Sequence, residues 1–212
     1  MPVIGKKEQI LESATKLILK KGYSHTSVED ITNEMGIAKG SFYTYFKSKN
    51  LLLKTIAEKK IEEMMEKQDN ILENSLSFEE TLKNIILVRL KFSHESMKRE
   101  LVLISLIKNI EALGPEIREI LKRIEQINIE FIKKLLIKFK KELNAEEKEF
   151  QRYSELISAI IREFKVVSFF LDKSDNENIF IQDFDVVIEK MNNEKLEEGI
   201  DFIYTCILKI LK

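Results

Sequence analysis

IAKGSFYTYFKSK, residues 37–49, spaces its two phenylalanines four positions apart. At about 100° per residue, Phe42 and Phe46 fall on one side of a short helix, where they act as its anchors. The opposite side carries Gly40, Ser41, Thr44 and Lys47, with Tyr43 and Tyr45 at its borders and Lys39 and Lys49 at its ends. That surface is small, hydroxylated and basic, and holds no carboxylate. It suits a polyanion, because the backbone approaches closely at Gly40 and Ser41 while phenols and lysines reach outward to phosphates. A short surface helix that lacks acidic residues by chance is the plainer alternative.

Immediately upstream, a helical run from Val28 to Met35 is followed by Gly36, at the left-handed position that ends many helices. Helix, glycine turn, helix is the layout of a helix-turn-helix, with the second helix as reader over Lys39 to Phe46. Further back, Ile10, Leu11, Ala14, Leu17 and Ile18 stripe a first helix, Lys6 to Lys20, that Gly22 ends. Thr26, three residues before Glu29, reads as a capping box opening helix two. Thr26 and Ser27 then place hydroxyls and amides at a helix N-terminus, where a phosphate is well received. Ala14, Ile18, Val28, Ile31, Ile37, Phe42 and Phe46 form the expected core of this three-helix unit.

The rest of the composition bounds the class. Six glycines and two prolines in 212 residues leave few turn signals, so the chain is expected to be all-α. Net charge is only −1, but residues 1–50 hold eight lysines against five acidic residues, a local +3 set against −4 elsewhere. The N-terminal quarter is the basic end. A single cysteine, Cys206, leaves no internal disulfide or cysteine-based zinc site, and a reducing compartment follows. With no apolar leader and no run of the roughly 18–20 apolar residues that a membrane span needs, the expected location is cytoplasmic, with no membrane partner.

The stretch from Lys6 to about Lys54, above all TSVEDITNEMGIAKGSFYTYFKSKNLL, resembles the DNA-binding domain of the TetR family of bacterial transcriptional regulators. The resemblance implies that Thr26 and Ser27 contact backbone phosphates. It implies also that Lys39, Gly40, Ser41, Tyr43, Thr44 and Tyr45 line the major-groove helix, and that Lys47 and Lys49 hold phosphate at the start of helix four. Two positions depart from the family pattern. Ala38 stands where many members have a capping Ser, which removes about 1 kcal/mol. After Lys47-Ser48-Lys49 come Asn50 and Leu51 in place of Glu, so the cap at Ser48 lacks its reciprocal half.

The implied organisation is a helix-turn-helix domain over residues 1–49, with helix four beginning at about 49. A helical effector-binding and dimerisation domain follows over 50–212. Breaks are expected near 74–77, 95–98, 113–115 and 144, and a looser stretch over 172–178; Gly114-Pro115 is the clearest, opening a helix to about Leu143. Broad apolar stripes over 146–171 and 194–212 fit the two helices that pair subunits in the family, or an ordinary core within one subunit. Residues 179–188, IFIQDFDVVI, read equally as helix or ordered loop.

For a ligand, the residues singled out are Phe92, Met97, Asn109, Asn128, Phe131, Arg162 and Phe164, which mix aromatics with polar groups as small-molecule sites do. Any of these aromatics also reads as core. His25 reads as a phosphate neighbour or solvated residue and His94 as structural or solvated, and no nucleophile–base pair, metal-spaced cluster or phosphate-binding glycine loop is present. No enzyme activity, metal or cofactor is therefore expected.

The sequence thus reads as a repressor. It would bind a pseudo-palindromic operator on double-stranded DNA as a homodimer and be released by a small-molecule effector. About eight phosphate contacts per dimer would give a log–log salt slope of roughly −7. A helical interaction protein whose N-terminal unit binds protein, or an architectural DNA binder without ligand, are the alternatives.

Overall fold

Scarce glycine and proline leave little to interrupt helix formation, and the computed structural model of the chain holds helices and no strand among its described residues. It describes residues 5–74, 77–90, 94–107, 113–170, 187 and 194–211. The helices are α1 (Lys6–Lys21), α2 (Val28–Glu34), α3 (Lys39–Tyr45), α4 (Lys49–Glu73), α5 (Phe78–Leu90), α6 (His94–Ile107), α7 (Pro115–Lys138), α8 (Phe150–Lys165) and α9 (Glu194–Leu211). Two 3₁₀ turns, Lys140–Glu142 and Glu147–Glu149, lie between α7 and α8, and a π-helical segment, Val166–Phe170, continues α8.

Most of the expected breaks fall where turn residues stand. Gly114-Pro115 opens α7, and α4 ends at Glu73. The break expected at 95–98 is misplaced, because those residues lie inside the first turns of α6. The helix expected to reach Leu143 ends at Lys138 and tightens into 3₁₀ geometry. The IFIQDFDVVI segment lies outside the described residues except for Val187, which is buried.

The chain forms two compact units, Met1–Glu62 with Ser93–Lys122 and Glu63–Phe92 with Arg123–Lys212. The first is built on Ile10, Leu11, Ala14, Ile31, Phe42, Phe46, Leu52 and Ile56, with Leu17, Val28, Met35 and Ile37 packed around them. Leu52 and Ile56 come from α4, so the three-helix core is closed by a fourth helix. Beyond the module expected at 1–49, α6 packs on α1, and Lys60 of α4 pairs with Glu100 of α6 at 2.9 Å with both side chains mostly covered.

In the second unit α5, α7, α8 and α9 supply the core, including Phe78, Leu82, Ile85, Ile132, Leu135, Phe150, Ile157, Ile161, Ile203 and Ile207. Much of the apolar stripe of α8 and α9 is therefore consumed within the subunit. Leu156 and Phe202 are the large apolar side chains of these two helices that stay outside, 45% and 63% exposed.

Candidate nucleic-acid interface

Gly36 sets the geometry between α2 and α3. Its φ of 64° is a left-handed conformation that costs other residues strain. The Ile37 N–H donates to the Thr32 carbonyl at 3.0 Å and the Gly36 N–H to the Asn33 carbonyl at 3.1 Å. This paired arrangement satisfies the last carbonyls of α2 and reverses the chain within two residues. The third helix then starts at Ala38 without a side-chain cap, as the sequence predicts for alanine there.

Phe42 and Phe46 are buried, their ring centroids 5.8 Å apart, and they hold α3 against the unit's core. What they leave outside is the predicted surface. Tyr43 and Tyr45 are 49% and 41% exposed, Lys39, Gly40, Thr44 and Lys47 are exposed, and Ser41 is half-buried. The Thr44 hydroxyl donates to the Gly40 carbonyl at 3.2 Å, which leaves its oxygen lone pairs outward. Lys39 lies 4.0 Å from Glu29 with both side chains in solvent, a pairing of little weight.

Three of the expected phosphate contacts are placed differently. Thr26 does not cap α2: it is 1% exposed, and its hydroxyl donates to the Gly22 carbonyl at 2.8 Å. The N-cap is Ser27, which forms the capping box with Asp30 in place of the Thr26–Glu29 pair. The Ser27 N–H and hydroxyl both donate to Asp30 Oδ2, at 2.7 and 2.6 Å, and the Asp30 N–H returns to Ser27 Oγ at 3.0 Å. Ser27 is exposed, but its donors already serve a carboxylate. Lys21 and Ser27 hold the Asp30 carboxyl well below the usual carboxylate range.

Lys49 is the third. Its ammonium donates to the main-chain carbonyls of Tyr23 at 2.8 Å and Thr26 at 2.7 Å, and lies 4.2 Å from the centroid of the Tyr23 ring. Partial burial pushes it below its usual pKa and pushes the Tyr23 phenol above its own. The Tyr23 hydroxyl in turn donates to Asn50 Oδ1. Sequence spacing gave no sign of this cluster, because it joins positions 26 residues apart. Ser48 caps α4 through the Leu51 N–H at 3.1 Å, and Leu51 offers no side chain to return the bond.

The residues singled out for a ligand are described within each unit by itself. Met97 is buried in the first unit, whereas Asn128, Phe131, Arg162 and Phe164 belong to the second. Asn128 is buried with its amide donating to the Ile124 carbonyl at 3.0 Å, and Gln68 donates to its Oδ1 at 3.4 Å. Arg162 is exposed and paired with Glu125 at 2.5 Å, so it is a surface residue. Phe131 is core, and the Phe164 ring packs over Gly199 of α9. Phe92 and Asn109 lie outside the described residues.

A glycine-turned helix pair with its anchors inward and a carboxylate-free face outward defines a helix-turn-helix protein. Residues 10–56 match the sequence model of the family described as "Bacterial regulatory proteins, tetR family". It is 44% identical over 69 residues to the uncharacterized HTH-type transcriptional regulator YerO of Bacillus subtilis, covering 32% of this chain and 24% of that protein. With YhgD of the same organism, also described as an uncharacterized HTH-type transcriptional regulator, it shares 29% identity over 130 residues, 61% of this chain and 66% of the relative. The matched length is thus about a quarter of YerO and just under two thirds of YhgD.

Over nearly the whole chain the fold resembles the fatty acid degradation regulator FadR of Bacillus halodurans, with a TM-score of 0.69, 18% identity and 97% and 96% of the two chains covered. It also resembles a TetR transcriptional regulator of Legionella pneumophila, with a TM-score of 0.66, 19% identity and full coverage of both chains. At these identities the likeness is one of fold.

Proposed function

We propose that the protein is a DNA-binding transcriptional repressor that engages a pseudo-palindromic operator as a homodimer and is released by a small-molecule effector bound in the helical region 50–212. The observation that carries the DNA reading is the face of α3. Tyr43, Thr44, Tyr45 and Lys47 are exposed in one seven-residue helix and its C-terminal flank, while Phe42 and Phe46 of the same stretch are buried. Base edges are read by Ser41, Tyr43, Thr44 and Tyr45, with Gly40 admitting the duplex backbone and Lys39 and Lys47 on phosphates. Thr26 and Lys49 serve as internal ties, and Ser27 stabilises α2 as its cap. So short a reader touches few bases, and two-fold repetition supplies the missing specificity.

Leu156 and Phe202 support pairing through α8 and α9, because large apolar side chains left on two neighbouring helices suit a matching surface on a second copy. The effector is inferred from the family match, and it would act only through different affinities for the DNA-competent and incompetent states. No helix among the described residues is long and apolar enough to cross a membrane, which accords with a regulator acting on DNA in the cytoplasm.

Selection of duplexes from a random-sequence library tests the reading. Enriched fragments should share inverted half-sites, and Thr44→Ala should re-rank base variants within a half-site by roughly 5–100-fold, the worth of a base contact. Equal weakening on every variant would remove Thr44 from base readout, and a protein that enriches no duplex would overturn the reading.

A further inference from the structure

With Thr26, Ser27 and Lys49 committed inside the subunit, two of the expected cations, Lys39 and Lys47, remain for phosphate on each reader. The surface beside α3 holds a third. Lys7, in the first turn of α1, is exposed, and its Nζ lies 5.8 Å from the centroid of the Phe46 ring. Phe46 is the residue that closes α3, and Lys47 follows it directly. The Lys7 ammonium therefore lies beside the residue that closes the reading helix, and the next residue in the chain, Lys47, is exposed. We propose that Lys7 is a further phosphate contact of the reader, held in position by the Phe46 ring; this rests on the DNA-binding reading above.

Charge in the neighbourhood supports the assignment. Glu8, the acidic residue in the first turn of α1, is taken by Lys59 of α4. Among the described residues no carboxylate lies within ion-pair distance of Lys7 or Lys47. A lysine in a first helical turn also works against the helix dipole. Lys7 thus breaks a local rule of helix stability without an internal counter-ion, which is the pattern expected where a side chain is kept for an external anion. Phosphate fits this site, whereas a base edge does not: Lys7 belongs to a helix outside the reading pair and adds charge without directional readout.

The test uses the full-length protein and a duplex enriched from random sequence by the wild type. At about 0.9 per phosphate contact, four lysines per dimer give a log–log salt slope of roughly −3.6 and six give roughly −5.4. Lys7→Gln should therefore flatten the wild-type slope by about 1.8. Affinity should fall by the same factor on all half-site variants, and Lys7→Arg should restore both. Thermal midpoint separates this from a structural role: relief at the helix N-terminus should leave it unchanged or raise it, whereas a lysine kept for packing on Phe46 would lower it. Lys20→Gln, about 20 Å along α1 at 1.5 Å per residue, controls for net charge. A wild type with a steep slope that Lys7→Gln leaves intact, or that Lys20→Gln flattens equally, overturns this assignment and leaves the DNA reading standing. A wild type that retains no duplex overturns both.

Discussion

Lys49 donates to the main-chain carbonyl of Thr26 at 2.7 Å, tying the first residue of α4 to the turn that opens α2. The same ammonium holds the Tyr23 carbonyl at 2.8 Å, so a single cation gathers the connection between α1 and α2. The Tyr23 carbonyl also accepts from the Thr26 N–H at 3.2 Å, and the charged donor adds a second bond there while serving the Thr26 carbonyl. The helix-turn-helix is thereby held on α4 by a bond whose ends lie in distant parts of the sequence.

Lys49→Met keeps the aliphatic stem and removes that donor. Hydrogen bonds from a charged group contribute about 1.5–3 kcal/mol when well shielded, and at this half-buried position a loss of about 1–2 kcal/mol is expected. Urea unfolding followed by circular dichroism measures it. The salt slope of DNA binding should stay at the wild-type value; a flatter slope would return Lys49 to the phosphate contacts.

Asp30 gives the acid side of the stability curve its shape. Its folded pKa is depressed by Lys21 and by the Ser27 hydroxyl and N–H. A depressed carboxylate contributes stability that is present above the unfolded value and lost as pH falls below about 4. Glu34, lowered by Lys16, has the same sign and remains in both proteins. Asp30→Asn should therefore be less stable than wild type near neutrality, with the two approaching each other toward pH 2.5. Denaturant midpoints taken across that range decide the matter, and parallel curves would show that Asp30 is not the group responsible.

Two glycines have unequal demands. Gly36 at φ 64° sits where asparagine is also tolerated, so Gly36→Ala should cost on the order of 1 kcal/mol and Gly36→Asn less. Gly22, at φ 84° and ψ 156°, occupies a region nearly closed to side-chain-bearing residues, so Gly22→Ala should cost about 1–3 kcal/mol with no rescue by asparagine. Equal losses at the two positions, measured by thermal unfolding, would contradict this ordering.

Gly199 in α9 tests packing against propensity. A Cβ added there would stand 2.6 Å from Phe164 Cζ. Glycine to alanine inside a helix is worth about 1 kcal/mol of propensity, but overpacking costs about 1–3 kcal/mol. Gly199→Ala should lower stability in the wild-type background and raise it beside Phe164→Ala. A double-mutant cycle measures the coupling, and additive effects would mean that the ring moves aside freely.

Much of the local geometry around α3 was legible in the sequence. The four-residue spacing of Phe42 and Phe46, the absence of acid between 37 and 49, and glycine at 36 each express local geometry, and the structure places those residues accordingly. The cap of α2 was assigned one residue too early, because Thr26–Glu29 and Ser27–Asp30 offer the same spacing of hydroxyl and carboxylate. The fold chooses between them by burying Thr26 under the Gly22 carbonyl. For the candidate ligand residues the sequence left core and pocket open, because aromatic residues at helical spacing look alike in both. Arg162 turned out to face Glu125 at the surface.

Sequence by itself determined the helical class, the glycine turn between α2 and α3, and the side of α3 that faces away from the core. Periodicity and backbone preference act within a few residues, and those features need nothing more. Only tertiary structure decided which polar groups are engaged inside the subunit and which stay at its surface. A hydroxyl or ammonium is spent on whichever acceptor the fold brings within about 3 Å, and for Lys49 that acceptor lies more than twenty residues away. The same holds for Lys7 beside Phe46 and for the Phe164 ring against Gly199, contacts between elements whose meeting no local pattern records.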